Sequence, residues 1–321
     1  MIDDCVVNIE DIKLNNDNFN NNIENNNIDY NDNNNNKKVI VFTGSTDGIG
    51  RSTLDVLVKN NSKELKFILP VRNIEKGERV KDELKLLNQD ADITIMKMDL
   101  GSFESIRGFV REFTQLEIPL DILVNNAGLM ATSYSTTIDG YETTFAVNHL
   151  GPFLLTNLLI DKLKQSVHGG NIVLVTSVMH EREKLDFDQL NVKKSNYSYV
   201  SAYGKSKLCN VLFARELQKR LDEENPHNRV KVNYLHPGSA KTSLSRDYGF
   251  FVKNIILPII LFFISNPLNE MANSLAALSL NKNNEKGKYF FINKEKSPSG
   301  FASDFNNSKR LYDESLKLVQ L

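Results

Sequence analysis

The sequence predicts an α/β domain built on one doubly wound parallel sheet with helices on both faces. Three observations carry this expectation. Short apolar runs rich in β-branched residues alternate with helix-length stretches from Lys38 onward, the pattern of parallel strands joined by helical crossovers. The runs are continuous rather than alternating, as strands buried on both faces must be. The first run, Val39–Phe42, leads into glycines at Gly44, Gly48 and Gly50 and then into Leu54, Leu57 and Val58 at helical spacing, so strand, tight turn and helix follow in that order.

Ahead of this domain lies a low-complexity segment. Fourteen of the twenty-two residues from Asn15 to Asn36 are asparagine. Such a tract buries too little apolar surface to offset its ordering entropy, so residues 1–36 are expected to be a disordered tail and residues 37–321 the domain. Strands are expected near Val39–Thr43, Lys66–Pro70, Ile93–Met98, Ile122–Asn125, Ile172–Ser177, Lys231–Leu235 and Lys288–Ile292. Helices are expected between them, for example over Asn73–Asn88, Ser102–Gln115, Tyr141–Leu163 and Ser201–Glu224.

The glycine turn suggests a guest. Gly44 permits a sharp exit from the strand. Gly48 and Gly50 let backbone approach a ligand, and the free N–H groups opening the next helix favour an anion such as a pyrophosphate. The spacing is Thr-Gly-x-x-x-Gly-x-Gly rather than the commoner Gly-x-Gly-x-x-Gly. The alternative is a glycine-rich loop with no ligand. Further on, Tyr203 and Lys207 are four apart and share a helical face. A nearby ammonium favours the phenolate and lowers the tyrosine pKa from about 10, so the pair can move a proton on and off a carbonyl oxygen. Taken alone, the pair reads more readily as a half-buried aromatic beside a solvated lysine. It is accompanied by Ser177 at the end of a buried-strand pattern, by Asn125-Asn-Ala-Gly ending another strand, by Asn148, and by His236-Pro-Gly ending a later one.

With Thr43–Gly50, Asp99, Asn125–Gly128, Asn148, Ser177, Tyr203-x-x-x-Lys207 and Pro237-Gly238 in this order, the chain resembles the classical short-chain dehydrogenase/reductase family from about Lys37 to near the C-terminus. The wording Val147-Asn-His-Leu-Gly and Tyr234-Leu-His-Pro-Gly looks like the retinol dehydrogenase and WW-domain oxidoreductase branch. The resemblance implies a Rossmann-type fold and a set of roles. Tyr203 would be the general acid/base, and Lys207 would depress its pKa and hold the nicotinamide ribose. Ser177 would hydrogen-bond the substrate oxygen, and Asn148 would support a proton relay to Lys207 through water. Gly44, Ser45, Thr46, Gly48, Ile49, Gly50 and Arg51 would line the cofactor phosphates. Asp99 and Asn125 would border the adenine end, Thr242 would reach the nicotinamide amide, and Ala127, Gly128, Pro237 and Gly238 would also bind the cofactor. The alternatives are that Asn148 is a backbone-bonded helix residue and Asp99 a capping carboxylate. Pro70, in the second strand, and Pro152, where this branch often has histidine, depart from the pattern.

NAD-preferring proteins of this architecture place Asp or Glu after the second strand. Here Arg72 stands there and Arg51 follows Gly50. Two guanidiniums suit a 2′-phosphate, so NADP(H) is expected over NAD. The segment at about 244–270 is intensely apolar and is expected to form lid helices over a pocket for a small apolar substrate, such as a retinoid-like or other lipid aldehyde or ketone. Residues 250–264 are a candidate for peripheral membrane contact; a span needs about 20 apolar residues, and Lys253 and Pro258 interrupt this run. A net charge of −1 argues against a nucleic-acid partner; no metal site is expected, and an oligomer is open. Two cysteines, Cys5 and Cys209, fit a reducing, intracellular setting, cytoplasmic or at a membrane surface. The alternative function is a nucleotide-sensing interaction protein with little turnover, against which the presence of Ser177, Tyr203 and Lys207 argues.

Deleting residues 1–36 is expected to leave the melting temperature and cofactor binding nearly unchanged; a large drop in melting temperature of the truncated chain would refute the assignment of the tail.

Overall fold

A computed structural model of the chain describes residues 37–238, 267–298 and 300–321. The expected asparagine-rich tail, Thr242 and most of the expected lid lie outside the described residues.

The strands are β1 (Lys38–Phe42), β2 (Leu65–Val71), β3 (Asp92–Lys97), β4 (Ile122–Asn125), β5 (Asn171–Val175), β6 (Lys231–His236), β7 (Tyr289–Phe291) and β8 (Lys294–Lys296). They form one sheet in the order β3-β2-β1-β4-β5-β6-β7-β8. Every neighbouring pair is parallel except β7 and β8. The antiparallel edge strand departs from the expected parallel sheet. It is a polar Lys-Glu-Lys ribbon exposed at every residue, a sequence with no apolar run to announce a strand, and its charges blunt the sheet edge.

The principal helices are α1 (Gly48–Asn61), α2 (Ile74–Leu87), α3 (Phe103–Gln115), α4 (Gly151–Lys164), α5 (Tyr199–Glu224), α6 (Leu268–Leu280) and α7 (Phe305–Val319). Side chains alternate across a strand, so β1 feeds two cores. Val39 and Val41 pack with residues of α3, α4, α5 and α7. Ile40 and Phe42 pack on the other face with residues of α1, α2 and α6. Four helices are capped by their own sequence: the side chains of Asp47, Asn73, Ser102 and Asp304 accept backbone N–H groups at the first turns of α1, α2, α3 and α7, the usual work of an N-cap.

Pro70 lies inside β2, yet beyond the last registered pair with β1, Val41 with Ile68. Its missing N–H therefore interrupts no registered pair on that side. The expected helix over Tyr141–Leu163 is not continuous. A short helical stretch, Thr143–Phe145, passes into a π-helical turn, Ala146–Leu150, before α4 begins. Pro152 explains part of the break: it has no N–H to offer the carbonyl of Asn148, and its ring crowds that carbonyl. Of the segment 244–270, only Pro267–Glu270 is described, and it leads into α6. Among the described residues no helix is long and apolar enough to cross a membrane.

The order reverses between β1 and β4, the switch point beside which doubly wound sheets form their crevice. Phe153, at the start of α4, is fully buried against Phe213 at 4.8 Å and Tyr312 at 5.0 Å between ring centroids. Phe153→Ala is expected to cost about 3–5 kcal/mol, measurable by urea unfolding; an unchanged midpoint would contradict the packing of α4 against α5 and α7.

Candidate active site

Two loops meet at the switch point. The Thr43 hydroxyl, ending β1, donates to Val124 O at 3.1 Å and accepts from the backbone N–H groups of Asn126 and Ala127, each at 3.1 Å. Asn126 returns the contact: its amide nitrogen lies 3.0 Å from Thr43 O and 3.2 Å from Gly44 O. This lattice holds the glycine turn in place. Gly44 and Gly48 have φ of 73° and 57°, in the left-handed region where a side chain is strained. A Cβ on Gly50 would fall 2.1 Å from Gly44 O, and one on Gly44 2.8 Å from Ala127 Cα. The backbone is thus packed to the limit that only glycine allows, and α1 opens directly from it. Asp47 takes the Gly48 N–H with its side chain and the Arg51 N–H with its carbonyl. The N–H groups of Ile49 and Gly50 belong to the same first turn, which has no intrahelical partners to offer them. Ser45 is buried, and its hydroxyl has no hydrogen-bond partner among the described residues. An orphaned hydroxyl, first-turn N–H groups and a tightly set glycine backbone are what a pyrophosphate requires, so the residues present fit a nicotinamide dinucleotide.

The expected flanking residues have unequal surroundings. Arg51 is engaged by Asp55 and lies 3.2 Å from Glu83 Oε2. Arg72, just past β2, is exposed, and its carbonyl accepts from Lys97 at 2.6 Å. Asp99 accepts the Gly101 N–H at 2.9 Å and donates its own N–H to Ser105, a turn-capping arrangement. Asn125 points into the core, donating to the Thr156 hydroxyl at 2.9 Å. Gly128 is exposed, and Pro237 and Gly238 are buried at the end of β6. Asn126 was absent from the expected site, although it is the asparagine that grips the glycine turn. Two asparagines in a row gave no sign of which one faces the crevice, since that depends on where β4 ends.

Beside this crevice the structure gathers the other candidates. Lys207 is 3% exposed, and its Nζ donates to Val175 O at 3.0 Å. Burial pushes its ammonium down to about 8, which leaves it mostly charged at neutral pH. Its Nζ lies 5.6 Å from the centroid of the buried Tyr203 ring. The Thr176 hydroxyl donates to Lys207 O at 3.0 Å, so the end of β5 and the first turns of α5 are stitched together. Ser177 follows. It lies past the end of β5 rather than in it, capping a 3₁₀ turn (Val178–Arg182) through the Met179 N–H. From the π turn, Asn148 accepts the Leu129 N–H and donates to Leu129 O, both at 2.8 Å, and its amide also donates to the Ser206 hydroxyl at 3.0 Å. Gly128 leaves room for this meeting: a Cβ there would be 3.2 Å from Lys207 Nζ and 3.3 Å from Asn148 Oδ1. Ser206, one residue before Lys207, is a second supporting residue that its sequence context did not single out.

The arrangement places a glycine turn fit for a dinucleotide near Tyr203 and Lys207, whose Nζ lies 5.6 Å from the tyrosine ring centroid. The sequence matches the family model described as short chain dehydrogenase over residues 38–249. It is 37% identical to human retinol dehydrogenase 13, over 88% of this chain and 85% of that protein. It is 35% identical to the chloroplastic short-chain dehydrogenase TIC 32 A of Brassica napus, over 87% and 88%. Among solved structures, an uncharacterised protein from Mycobacterium paratuberculosis is 27% identical with a TM-score of 0.64, covering 88% of this chain and 93% of that one. The RhlG/NADP active-site complex of Pseudomonas aeruginosa shares the fold at 21% identity and a TM-score of 0.61, over 83% and 96%. The chain belongs to the short-chain dehydrogenase/reductase family, on its retinol dehydrogenase branch, and is an NAD(P)-dependent oxidoreductase acting on alcohol and carbonyl groups.

Proposed function

We propose that the chain is an NADP(H)-dependent dehydrogenase or reductase of an apolar alcohol or carbonyl compound, such as a retinoid-like or other lipid aldehyde or ketone. The observation that carries the chemistry is the convergence of Tyr203, Lys207, Asn148 and Ser177 at the carboxyl ends of the strands. When bound, the nicotinamide supplies or accepts the hydride.

The chain's own residues do the rest. The Tyr203 hydroxyl gives a proton to the carbonyl oxygen in reduction and takes it from the alcohol in oxidation. Lys207, buried and cationic, favours the phenolate and holds the ribose hydroxyls. Ser177 donates to the substrate oxygen as charge grows there. Asn148 keeps its carbonyl free of a Pro152 N–H, which suits it to hold a water leading to Lys207. The apolar preference is supported by Val178, Tyr199 and Val200, which are 43%, 36% and 43% exposed. Each lies within a few residues of Ser177 or Tyr203 and would present apolar surface to the substrate. The cofactor preference rests on Arg72. Arg51 is already engaged by two carboxylates, whereas Arg72 ends β2 with its guanidinium exposed to take a 2′-phosphate. The 250–264 segment is retained as a candidate for membrane-surface contact; it lies outside the described residues.

Tyr203→Phe removes only the hydroxyl and is expected to lower turnover by about 10²–10⁴-fold while cofactor affinity holds; Lys207→Met is expected to weaken both. Near-normal turnover in Tyr203→Phe, tested over a panel of apolar aldehydes and alcohols, would sink the mechanism. Arg72→Asp is expected to shift preference toward NAD by about ten- to hundredfold, one charge-assisted contact. Titrating wild type and variant with both cofactors checks this, and a wild type that already favours NAD would overturn the arginine argument.

A further inference from the structure

Asn148 stands on a turn that is not α-helical. The Gly151 N–H donates to Ala146 O, five residues back. Such π turns are rare, and an inserted one survives where its surroundings hold it. The contacts of Asn148 with Leu129 and Ser206 hold one side. The other side is held by the next residue. His149 is fully buried, and its Nε2 lies 2.8 Å from the hydroxyl of Ser315, itself fully buried on α7. The ring stacks on Phe145 at 5.6 Å and meets Phe153 at 5.8 Å and Phe213 at 6.2 Å. The Asn210 side chain is a second polar neighbour of the ring, and the Ser315 hydroxyl holds its Nε2 edge. Burial drives the imidazole down to about 3, and it stays neutral as a hydrogen-bonding group.

Successive residues on a helical turn point about 100° apart. With His149 anchored on α7, Asn148 is turned toward Leu129, Ser206 and the Lys207 side. Slipping the turn back to α geometry would rotate Asn148 by about that angle and strip it from Leu129. Helix α7 is tied to the same region at further points. The Tyr141 hydroxyl donates to Leu318 O at 2.8 Å, Arg107 to Val319 O at 2.9 Å, and the Tyr312 hydroxyl to Asn157 Oδ1 at 2.5 Å.

We propose that His149, anchored by Ser315 of the last helix, is a positioning residue for Asn148: it holds the π turn in the register that aims Asn148 at Lys207, and so links the C-terminal helix to proton delivery. This rests on the reading of Asn148 as part of the proton relay. The fold uses α7 as a brace against the turn that the relay needs, and Ser315 is the brace's point of contact.

The test compares Ser315→Ala, Ser315→Thr, Tyr312→Phe and Asn148→Ala in the full chain with NADPH and the best aldehyde of the panel. Ser315→Ala is expected to lower kcat by about tenfold or more, in line with the cost of a small misplacement. It should also enlarge the solvent deuterium isotope effect on kcat and leave KM and the NADPH Kd unchanged. Ser315→Thr, which keeps the hydroxyl, is expected to recover kcat. Tyr312→Phe removes a hydrogen bond from the same helix away from the π turn; it is expected to lower melting temperature without moving kcat or the isotope effect. Wild-type kcat and isotope effect in Ser315→Ala, with Asn148→Ala slow, would overturn this inference alone. An equal kcat loss in Tyr312→Phe would do the same, by showing a merely structural effect. Wild-type kcat in Asn148→Ala would overturn the relay reading and this inference together.

Discussion

The buried ammonium of Lys207 is the constraint around which the site is arranged. A charge removed from water is costly unless it is paired or hydrogen-bonded. This one is met by the carbonyl of Val175 at the end of β5. That bond forces α5 to run tightly over the strand ends, and the Thr176 hydroxyl bonding to Lys207 O repeats the constraint from the strand side. Tyr203, one turn earlier on α5, then has its place decided. So does Gly128, where any side chain would press on Lys207 and Asn148.

The cofactor cradle follows a different rule. Its glycines are required less by flexibility than by contact: Gly50 nearly touches Gly44 O, and Gly44 lies against Ala127. Thr43 and Asn126 lace β1 to β4 at the point where the strand order reverses. Beside this lacing the Ser45 hydroxyl is buried and has no partner among the described residues. Tightly packed backbone beside an unsatisfied buried polar group is preorganised for a ligand rather than moulded by it.

Asn148 stands on a third device, a local departure from regular helix. The π turn at Ala146–Leu150 carries Asn148 one way and His149 the other. Its two faces are satisfied by quite different partners, the Leu129 backbone and the last helix of the chain. A defect in a helix is tolerated here because it is bonded on both sides, as functional irregularities in folds commonly are.

Much of this was legible in the sequence. Continuous β-branched runs marked β1 through β6 because a strand buried on both faces has no polar side to show. The glycine spacing and the four-residue separation of Tyr203 and Lys207 are local patterns, set by turn and helix geometry, and so they could be picked out as candidates from the sequence. Their order along the chain was enough to suggest the family. What the tertiary structure decided are the contacts between segments distant in sequence. Asn126 rather than Asn125 grips the glycine turn, because β4 ends where it does. Arg51 is drawn to Glu83 across the α1–α2 contact while Arg72 stays exposed. The expected single helix over Tyr141–Leu163 is broken by a turn whose partners, Leu129, Ser206 and Ser315, lie 19, 58 and 166 residues from the side chains they hold. Periodicity sees only neighbours along the chain, whereas a buried hydrogen bond is settled by whichever groups the fold brings within about 3 Å of each other.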